Sequence, residues 1–290
     1  MQVNFSPEFR GWLLHNLERG CAVDDLVASM VAQRFDPLVA RGLVDAFVRA
    51  RRAGAAAPQN PVTIEGGAEY RYETPRLPAG PVLRAADRDV PVLMRTEQPM
   101  LALLSGVLSA DECDELIGLA RGRLRPSTVV DPQSGADAIA EYRDSEGMFF
   151  RLAENDFIAL VDRRIAELMN LPMENGEGLQ VLRYGPAAKT EPHFDFLVPS
   201  NAANRASIAR SGQRVSTLVV YLNDVSGGGE TIFPALGLAV TAQKGNAVYF
   251  EYTNSRGEVD VKTLHAGAPV IKGEKWVVTK WMRERRFVSA

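Results

Sequence analysis

The sequence predicts an α+β protein in which a β-rich C-terminal half of the jelly-roll kind is braced by helices. Helical patterns occupy most of the chain before residue 178, whereas seven short β-rich runs follow it, separated by Gly-rich turns. Helices followed by many short strands are typical of a closed or double-sheet β fold. With 290 residues and 46% hydrophobic content, the chain is long and apolar enough to bury a substantial core.

The first fifty-odd residues predict a small helical unit. Ser6 with Pro7, and Asp36 with Pro37, are typical helix starts, and Gly20 ends the first run. The apolar-periodic run LVARGLVDAFVRARRAG follows the second start.

The composition of the chain also predicts its division into domains. Residues 54–67, GAAAPQNPVTIEGG, have neither helical nor strand periodicity, which indicates a linker with a boundary near residue 60. We therefore predict a helical unit at 1–58, a linker and entry segment at 59–90 and the main domain at 91–290.

Two helices are expected inside the main domain. Ser109 and Glu112 form a capping box ahead of one, and DFIALVDRRIAELM is the second. The GGGET motif from Gly227 is interpreted as a tight turn, because no Lys-Ser/Thr follows as in a phosphate loop. Residues 199–213 are expected to form a long polar loop, either a lid or an inert surface segment.

Charge and cysteine content exclude several classes of protein. The formal net charge is -3 with both signs interspersed, which leaves no basic stripe for nucleic acid and no polybasic membrane anchor. Cys21 and Cys113 both fall in helical patterns, so neither a disulfide framework nor a cysteine zinc site is expected. No leader-like N-terminus or membrane-spanning stretch is seen, and we predict a cytoplasmic protein.

The histidines suggest a metal site. Of the three, His15 lies in a helical pattern, whereas His193 and His265 lie in β-rich runs. On a strand, residues two apart share a face, so Asp195 would project beside His193. Two histidines and one carboxylate on a β scaffold match the triad of non-heme Fe(II) oxygenases, although a structural His-Asp hydrogen bond is the alternative.

A lysine accompanies this pattern. Lys275 follows His265 by ten residues, at the start of the apolar strand KWVVTKW. A lysine that points into a β barrel needs an anion to offset its desolvation, and a dicarboxylate would supply one. The alternative is that Lys275 is a surface lysine at a strand edge. The presence of a second lysine, Lys280, in the same run leaves this alternative open.

Several blocks of the chain resemble a known family in their order and spacing. These blocks are LQVLRYGP, PHFDF, GQRVSTLVVYLNDVSGGGETIFP, KGNAVYF and LHAGAPVIKGEKWVVTKW, within a span from near residue 107 to near 285. They resemble the Fe(II)- and 2-oxoglutarate-dependent dioxygenases of the prolyl 4-hydroxylase type. The helical N-terminal unit lies outside the resemblance, and packing or formation of a homodimer is its expected role.

The resemblance implies a double-stranded β-helix core and a set of residue roles. Its cofactors would be Fe(II), the cosubstrate 2-oxoglutarate and L-ascorbate. Iron would be bound by His193, Asp195 and His265. The 2-oxoglutarate would be bound by Lys275 at its distal carboxylate, with Tyr184 and Thr231 assisting. Arg214 and Trp281 would line the substrate groove.

The implied reaction is hydroxylation of an unactivated C–H bond, foremost that of a peptidyl proline, with O2 consumed and succinate and CO2 released. Hydroxylation of a free amino acid or small molecule is the alternative, and a cupin-like metal-binding protein is a third. Thr190 and Arg283 replace a tyrosine and a histidine found in relatives. From these two positions we expect a wider, more cationic groove that favours acidic flanking residues.

Overall fold

The computed structural model describes most of the chain and divides it into two compact units, one up to residue 69 and one from Tyr70 onward. The described residues are 2–3, 5, 7–32, 35, 37–64, 70–126, 128–130, 137–139, 145–199 and 202–289. None of the helices among them is long and apolar enough to cross a lipid bilayer.

The first unit contains three helices and one short strand pair. The elements are β1 (Gln2–Val3), α1 (Pro7–Glu18), α2 (Val23–Ala32), α3 (Pro37–Arg52) and β2 (Val62–Thr63), with β1 antiparallel to β2. Proline occupies the first position of α1 and α3, where its missing N–H costs no hydrogen bond. The expected cap residues Ser6 and Asp36 lie outside the described residues. His15 is exposed on α1, as expected.

The second unit holds the remaining elements. Its helices are α4 (Ala110–Arg121), α5 (Asp156–Leu168) and α6 (Ala202–Ser211). Its strands are β3 (Val82–Ala85), β4 (Arg88–Glu97), β5 (Met100–Leu104), β6 (Arg125–Pro126), β7 (Thr128–Val130), β8 (Asp137–Ile139), β9 (Ser145–Phe149), β10 (Gln180–Tyr184), β11 (Thr190–His193), β12 (Arg214–Tyr221), β13 (Gly227–Gly228), β14 (Thr231–Phe233), β15 (Leu238–Val240), β16 (Ala247–Glu251), β17 (His265–Gly267), β18 (Val270–Lys272) and β19 (Lys275–Arg283).

Antiparallel sheets form the frame of this unit. The largest has nine strands in the order β3-β4-β5-β16-β12-β19-β10-β9-β6, and a second has the order β11-β17-β14-β15. Two-stranded pairs join β13 to β18 and β7 to β8. Phe233 of the small sheet and Phe250 of the large one contact each other with ring centroids 5.2 Å apart, so side chains of the two sheets pack together. The predicted mixed helix and sheet fold is confirmed at this level.

One face of the large sheet packs against α4 and α5. Trp276 and Val278 of β19 join Leu116 of α4 and Ile165 of α5 in a continuous buried core. The expected capping box begins α4: Ser109 Oγ accepts from the backbone N–H of Glu112 at 3.1 Å, and Glu112 Oε2 accepts from that of Ser109 at 2.7 Å.

The sequence reasoning missed two parts of this fold. Strand β3 lies in the predicted linker, and β4 and β5 lie mostly in a part of the main domain for which we predicted no secondary structure. MLALL in β5 is apolar throughout, so its periodicity cannot distinguish strand from helix. Residues 202–211 form α6 rather than a loop. Arg283 and Arg285 donate to backbone carbonyls in its last turns, which helps to satisfy that helix end.

A buried ion pair joins α5 to the centre of the large sheet. Lys280 Nζ lies 2.7 Å from Asp162 Oδ1 and donates to the Glu177 carbonyl at 2.6 Å, with no exposed surface on either side chain of the pair. Both charges are therefore compensated inside the protein, and each depends on the other.

Substitution of Lys280 by methionine should destabilise the fold. The Asp162 carboxylate would remain buried without its ammonium partner, and we expect the free energy of unfolding to fall by about 3–5 kcal/mol. The double variant Asp162→Leu/Lys280→Met should regain part of this loss, because no lone charge remains. Urea unfolding followed by circular dichroism measures both, and a Lys280→Met protein as stable as the unaltered chain would contradict the assignment.

Candidate active site

The structure brings His193, Asp195 and His265 together. His193 and His265 are directly opposed in the antiparallel pair of β11 and β17, and Asp195 follows β11. Asp195 Oδ1 lies 3.7 Å from His193 Nε2, and Oδ2 lies 3.7 Å from His265 Nε2. One potential ligand atom from each residue lies within 4.8 Å of the others, a spacing at which a single cation could contact all three.

Backbone carbonyls determine which nitrogen of each imidazole carries the hydrogen. His193 Nδ1 lies 2.9 Å from the Glu191 carbonyl, and His265 Nδ1 lies 3.0 Å from that of Thr263. A carbonyl oxygen can only accept, so each Nδ1 carries the hydrogen in a neutral ring and each Nε2 presents a lone pair toward Asp195. Ligating histidines are held in this manner in metal sites, and the donor set fits a divalent transition metal.

The carboxylate of Asp195 is buried and held in place. Burial tends to raise its pKa, but His265, His193 and Arg214 together with a hydrogen bond from Thr217 outweigh that effect and lower it below the ordinary value. Thr217 Oγ1 donates to Asp195 Oδ2 at 2.7 Å. Asp195 is therefore ionised near neutral pH, as a metal ligand must be.

Aromatic rings enclose the imidazole of His265. The Phe250 ring centroid lies 4.8 Å away and that of Phe233 lies 5.7 Å away. His265 is only 6% exposed, whereas the side chain of His193 is 32% exposed. The cluster is therefore dry on one side and open on the other, where a reactant could approach.

Lys275 is a buried cation without an anionic partner. It is 5% exposed, and its Nζ makes no ion pair or hydrogen bond within the part of the chain that the structure describes. Burial lowers its pKa to about 8, although Glu230 opposes the shift. Lys280 on the same strand forms an ion pair with Asp162. The two lysines therefore differ in whether a carboxylate balances their charge, which the sequence alone could not show.

The rings of two tyrosines lie near the ammonium of Lys275. Tyr184 is paired with Lys275 across β10 and β19, and its ring lies 5.7 Å from Nζ. The Tyr221 ring lies 5.6 Å from Nζ, and its hydroxyl donates to Thr231 Oγ1 at 2.8 Å. Thr190 Oγ1 donates to the Tyr184 hydroxyl at 3.0 Å. The predicted residue Tyr184 thus lies near Lys275 together with Tyr221, which the sequence reasoning missed, and the predicted residue Thr231 is linked to Tyr221 by a hydrogen bond.

Arg214 and Trp281 lie beside the cluster. The Arg214 guanidinium lies 4.0 Å from the Trp281 ring centroid and donates to the Asp195 carbonyl at 3.2 Å. Its Nε and Nη2 donate to the two Glu177 carboxylate oxygens at 2.7 and 2.8 Å. Arg214 therefore positions the backbone of Asp195 and supports Trp281, with its charge compensated by Glu177.

Glu177 also pairs with Arg283, which lies inside the protein rather than on the surface of a groove. Arg283 is 1% exposed, and its Nη1 donates to Glu177 Oε1 at 2.9 Å. The pKa of Glu177 is lowered despite its burial, because Arg214 and Arg283 stabilise the ionised form. Arg283 is thus an internal residue that shares the single negative charge of Glu177 with Arg214. Glu177 was missed because a single glutamate in NGEGL carries no signal of its partners.

Comparisons with known proteins agree with this geometry. Residues 179–283 match the 2OG-Fe(II) oxygenase superfamily. The chain is 38% identical over 208 residues to probable prolyl 4-hydroxylase 6 of Arabidopsis thaliana, covering 65% of this chain and 70% of the relative. Prolyl 4-hydroxylase 1 of the same plant is 39% identical over 202 residues, covering 64% and 70%.

A solved structure is similar as well. The 2OG complex of a viral collagen prolyl hydroxylase from Paramecium Bursaria Chlorella virus-1 superposes with a TM-score of 0.50 at 30% identity, covering 63% of this chain and 95% of that protein. The superfamily match contains every residue of the cluster and Lys275. The chain therefore belongs to the prolyl 4-hydroxylase family of Fe(II)- and 2-oxoglutarate-dependent dioxygenases.

Proposed function

We propose that this dioxygenase hydroxylates a C–H bond of a peptidyl proline. One substrate C–H, one O2 and one 2-oxoglutarate would yield the alcohol, succinate and CO2. The observation that carries the proposal is the His-Asp-His cluster in the same domain as a buried lysine that forms no ion pair among the described residues. The names of the relatives supply the substrate class, since they are prolyl hydroxylases.

In this proposal His193, Asp195 and His265 bind Fe(II). Bound iron supplies the oxidising chemistry with O2, and ascorbate would keep it in the ferrous state. The protein orients the ligands through the Glu191 and Thr263 carbonyls, and Phe233 and Phe250 keep water from one side. A cupin-type metal isomerase would have no need of a buried cation for a second carboxylate, so Lys275 disfavours that alternative.

Lys275 is proposed to bind the distal carboxylate of 2-oxoglutarate. A shift of its pKa to about 8 corresponds to roughly 3 kcal/mol of desolvation cost, which a bound carboxylate would offset. Tyr184 and Thr231 are proposed to assist through their hydroxyl groups, which are hydrogen-bonded to Thr190 and Tyr221. The buried ammonium is the charge that a dicarboxylate requires.

The substrate groove is proposed to run along Trp281. Its ring has the Arg214 guanidinium against one face, and an apolar proline ring could pack on the remaining surface. Glu177 is the shared partner of Arg214 and Arg283, so the three groups together keep one net positive charge, and a preference for acidic flanking residues stays part of the proposal.

We also propose a core architecture, a domain division, a location and an oligomeric state for the protein. The contacts of Phe233 and His265 with Phe250 support a double-stranded β-helix core formed by the two main sheets. We also propose the division of the chain at 1–58, 59–90 and 91–290, a cytoplasmic location, and a homodimer mediated by the helical unit. Light scattering of the full chain tests the dimer, and a monomeric mass at working concentration would exclude it.

The substrate proposal predicts that proline peptides stimulate succinate formation. A panel with acidic, neutral and basic flanks should show coupled turnover, with acidic flanks favoured because Arg214, Arg283 and Glu177 together keep one net positive charge. Mass spectrometry of the peptides should show one added oxygen on proline. If no proline peptide couples while a free amino acid does, the peptide proposal is wrong and a small-molecule hydroxylase replaces it.

Lys275→Met should weaken 2-oxoglutarate binding and leave metal binding intact. Loss of a charge-assisted pair is worth about 1.5–3 kcal/mol, or about 10–150-fold in affinity. The ligand-free variant should be no less stable than the unaltered protein, because an unpaired buried ammonium has been removed. Lys272→Met, an exposed lysine on β18, is the matched control. Calorimetric titration under anaerobic conditions measures these affinities.

The same interaction should make 2-oxoglutarate binding depend on pH. The pKa of Lys275 is lowered from 10.5 to about 8, so its charge is present below that pH and is lost as pH rises. Affinity should therefore decline above pH 8, by up to about tenfold per pH unit. An affinity that is constant from pH 7 to 9.5, or unchanged in Lys275→Met, would show that another cation binds the cosubstrate.

A further inference from the structure

The candidate ligand Asp195 lies beyond the end of the strand that carries His193. Strand β11 ends at His193, and the backbone groups of Asp195, Phe196 and Leu197 make no hydrogen bond to another backbone group among the described residues. Segments outside a β ladder are usually more mobile than those within one. A metal ligand has to be held to within about 0.5 Å, so other groups must fix this segment if Asp195 is to bind a metal.

The side chain of Gln213 holds the segment just after Asp195. Its Oε1 accepts from the N–H of Leu197 at 2.7 Å, and its Nε2 donates to the Leu197 carbonyl at 2.7 Å. One side-chain amide thus bonds both backbone groups of a single residue, which is the pattern that two paired residues form in an antiparallel sheet. Gln213 therefore takes the place of a strand partner for Leu197.

Gln213 is fixed in turn by its surroundings. Its backbone N–H donates to Glu284 Oε2 at 2.9 Å, and its carbonyl accepts from the Glu284 N–H at 2.9 Å. Its Oε1 also accepts from the N–H of Arg214 at 2.9 Å, which restrains the side-chain rotamer. Gln213 and Leu197 are 16 residues apart along the chain, so their hydrogen bonds close the base of the excursion that contains α6.

These contacts add a restraint that the other partners of Asp195 do not supply. Thr217 Oγ1 donates to its carboxylate at 2.7 Å, and Arg214 Nη1 donates to its carbonyl at 3.2 Å. Both fix atoms of Asp195 itself, whereas the contacts of Gln213 with Leu197 fix the direction in which the chain leaves it. Without the Gln213 amide, the chain after Asp195 would be free to shift with the α6 excursion.

We propose that Gln213 is a positioning residue for the metal ligand Asp195, on which it acts through the backbone of Leu197. The inference rests on the proposed function, because it requires that the His-Asp-His cluster bind Fe(II). In a protein that lacks the Gln213 amide, Asp195 would spend part of its time away from the ligand position. The apparent metal affinity would then fall with the fraction of molecules that are competent to bind.

Titration of metal into a Gln213→Leu variant tests this inference. The substitution removes all three side-chain hydrogen bonds with little change in side-chain size. Anaerobic titration with Fe(II) and with Co(II) should show affinities lowered by about tenfold, the low end of the loss typical when a group that orients a metal ligand is removed. The visible spectrum of bound Co(II) should change as well, because it depends on the number and arrangement of the ligands.

Gln243→Leu is the matched control. It removes a glutamine that accepts a hydrogen bond from Asn246 at an exposed position, and it should bind both metals as the unaltered protein does. Gln213→Met, whose side chain is unbranched like that of glutamine, should show the same loss as Gln213→Leu and repeats the test in case leucine disturbs the loop.

A purely structural role for Gln213 gives a different result. Urea unfolding of the metal-free variants would then shift to lower concentration, while the metal affinity and the Co(II) spectrum would stay as in the unaltered protein. That result in both variants overturns this inference alone. An unaltered protein that binds neither Fe(II) nor Co(II) at the cluster overturns the proposed metal site together with it.

Discussion

The carboxylate of Glu177 connects the parts of the candidate site, because it is the shared partner of the buried Arg283 and the partly buried Arg214. Through Arg214 it fixes the carbonyl of Asp195, and through Arg283 it reaches the Gly212 carbonyl just after α6. Its own backbone carbonyl accepts from Lys280, which is paired with Asp162 of α5. Loss of the carboxylate would leave two buried cations without compensation, a change that is strongly destabilising. The geometry around Asp195 therefore depends on an ion network that never touches the proposed metal.

The cations along β19 differ in whether they have an anionic partner. Lys280 and Arg283 have buried anionic partners, whereas the ammonium of Lys275 has none among the described residues. The proposed cosubstrate would therefore supply the counter-charge that Lys275 lacks among the described residues.

Much of the candidate site was predictable from the sequence, because its signals are local. The spacing of His193 and Asp195 on a strand, the scarcity of histidine, and the position of Lys275 after His265 all indicated the residues that the structure brings together. The Glu177 network was not predictable, since its partners are 37 and 106 residues away along the chain. Arg283 was predicted to lie in the groove because its partner Glu177 is so distant along the chain that the sequence gives no sign of their pairing. Helix α6 was missed because its residues have no apolar periodicity.

The central claim is that His193, Asp195 and His265 form one metal site. Anaerobic titration of Fe(II) into the unaltered protein and into Asp195→Ala tests it most directly, with His15→Ala as the control because that histidine is exposed on α1. We expect one Fe(II) per chain for the unaltered protein and for His15→Ala, and loss of that site in Asp195→Ala while the circular dichroism spectrum is retained. Equal Fe(II) stoichiometry and affinity in Asp195→Ala and the unaltered protein would contradict the account.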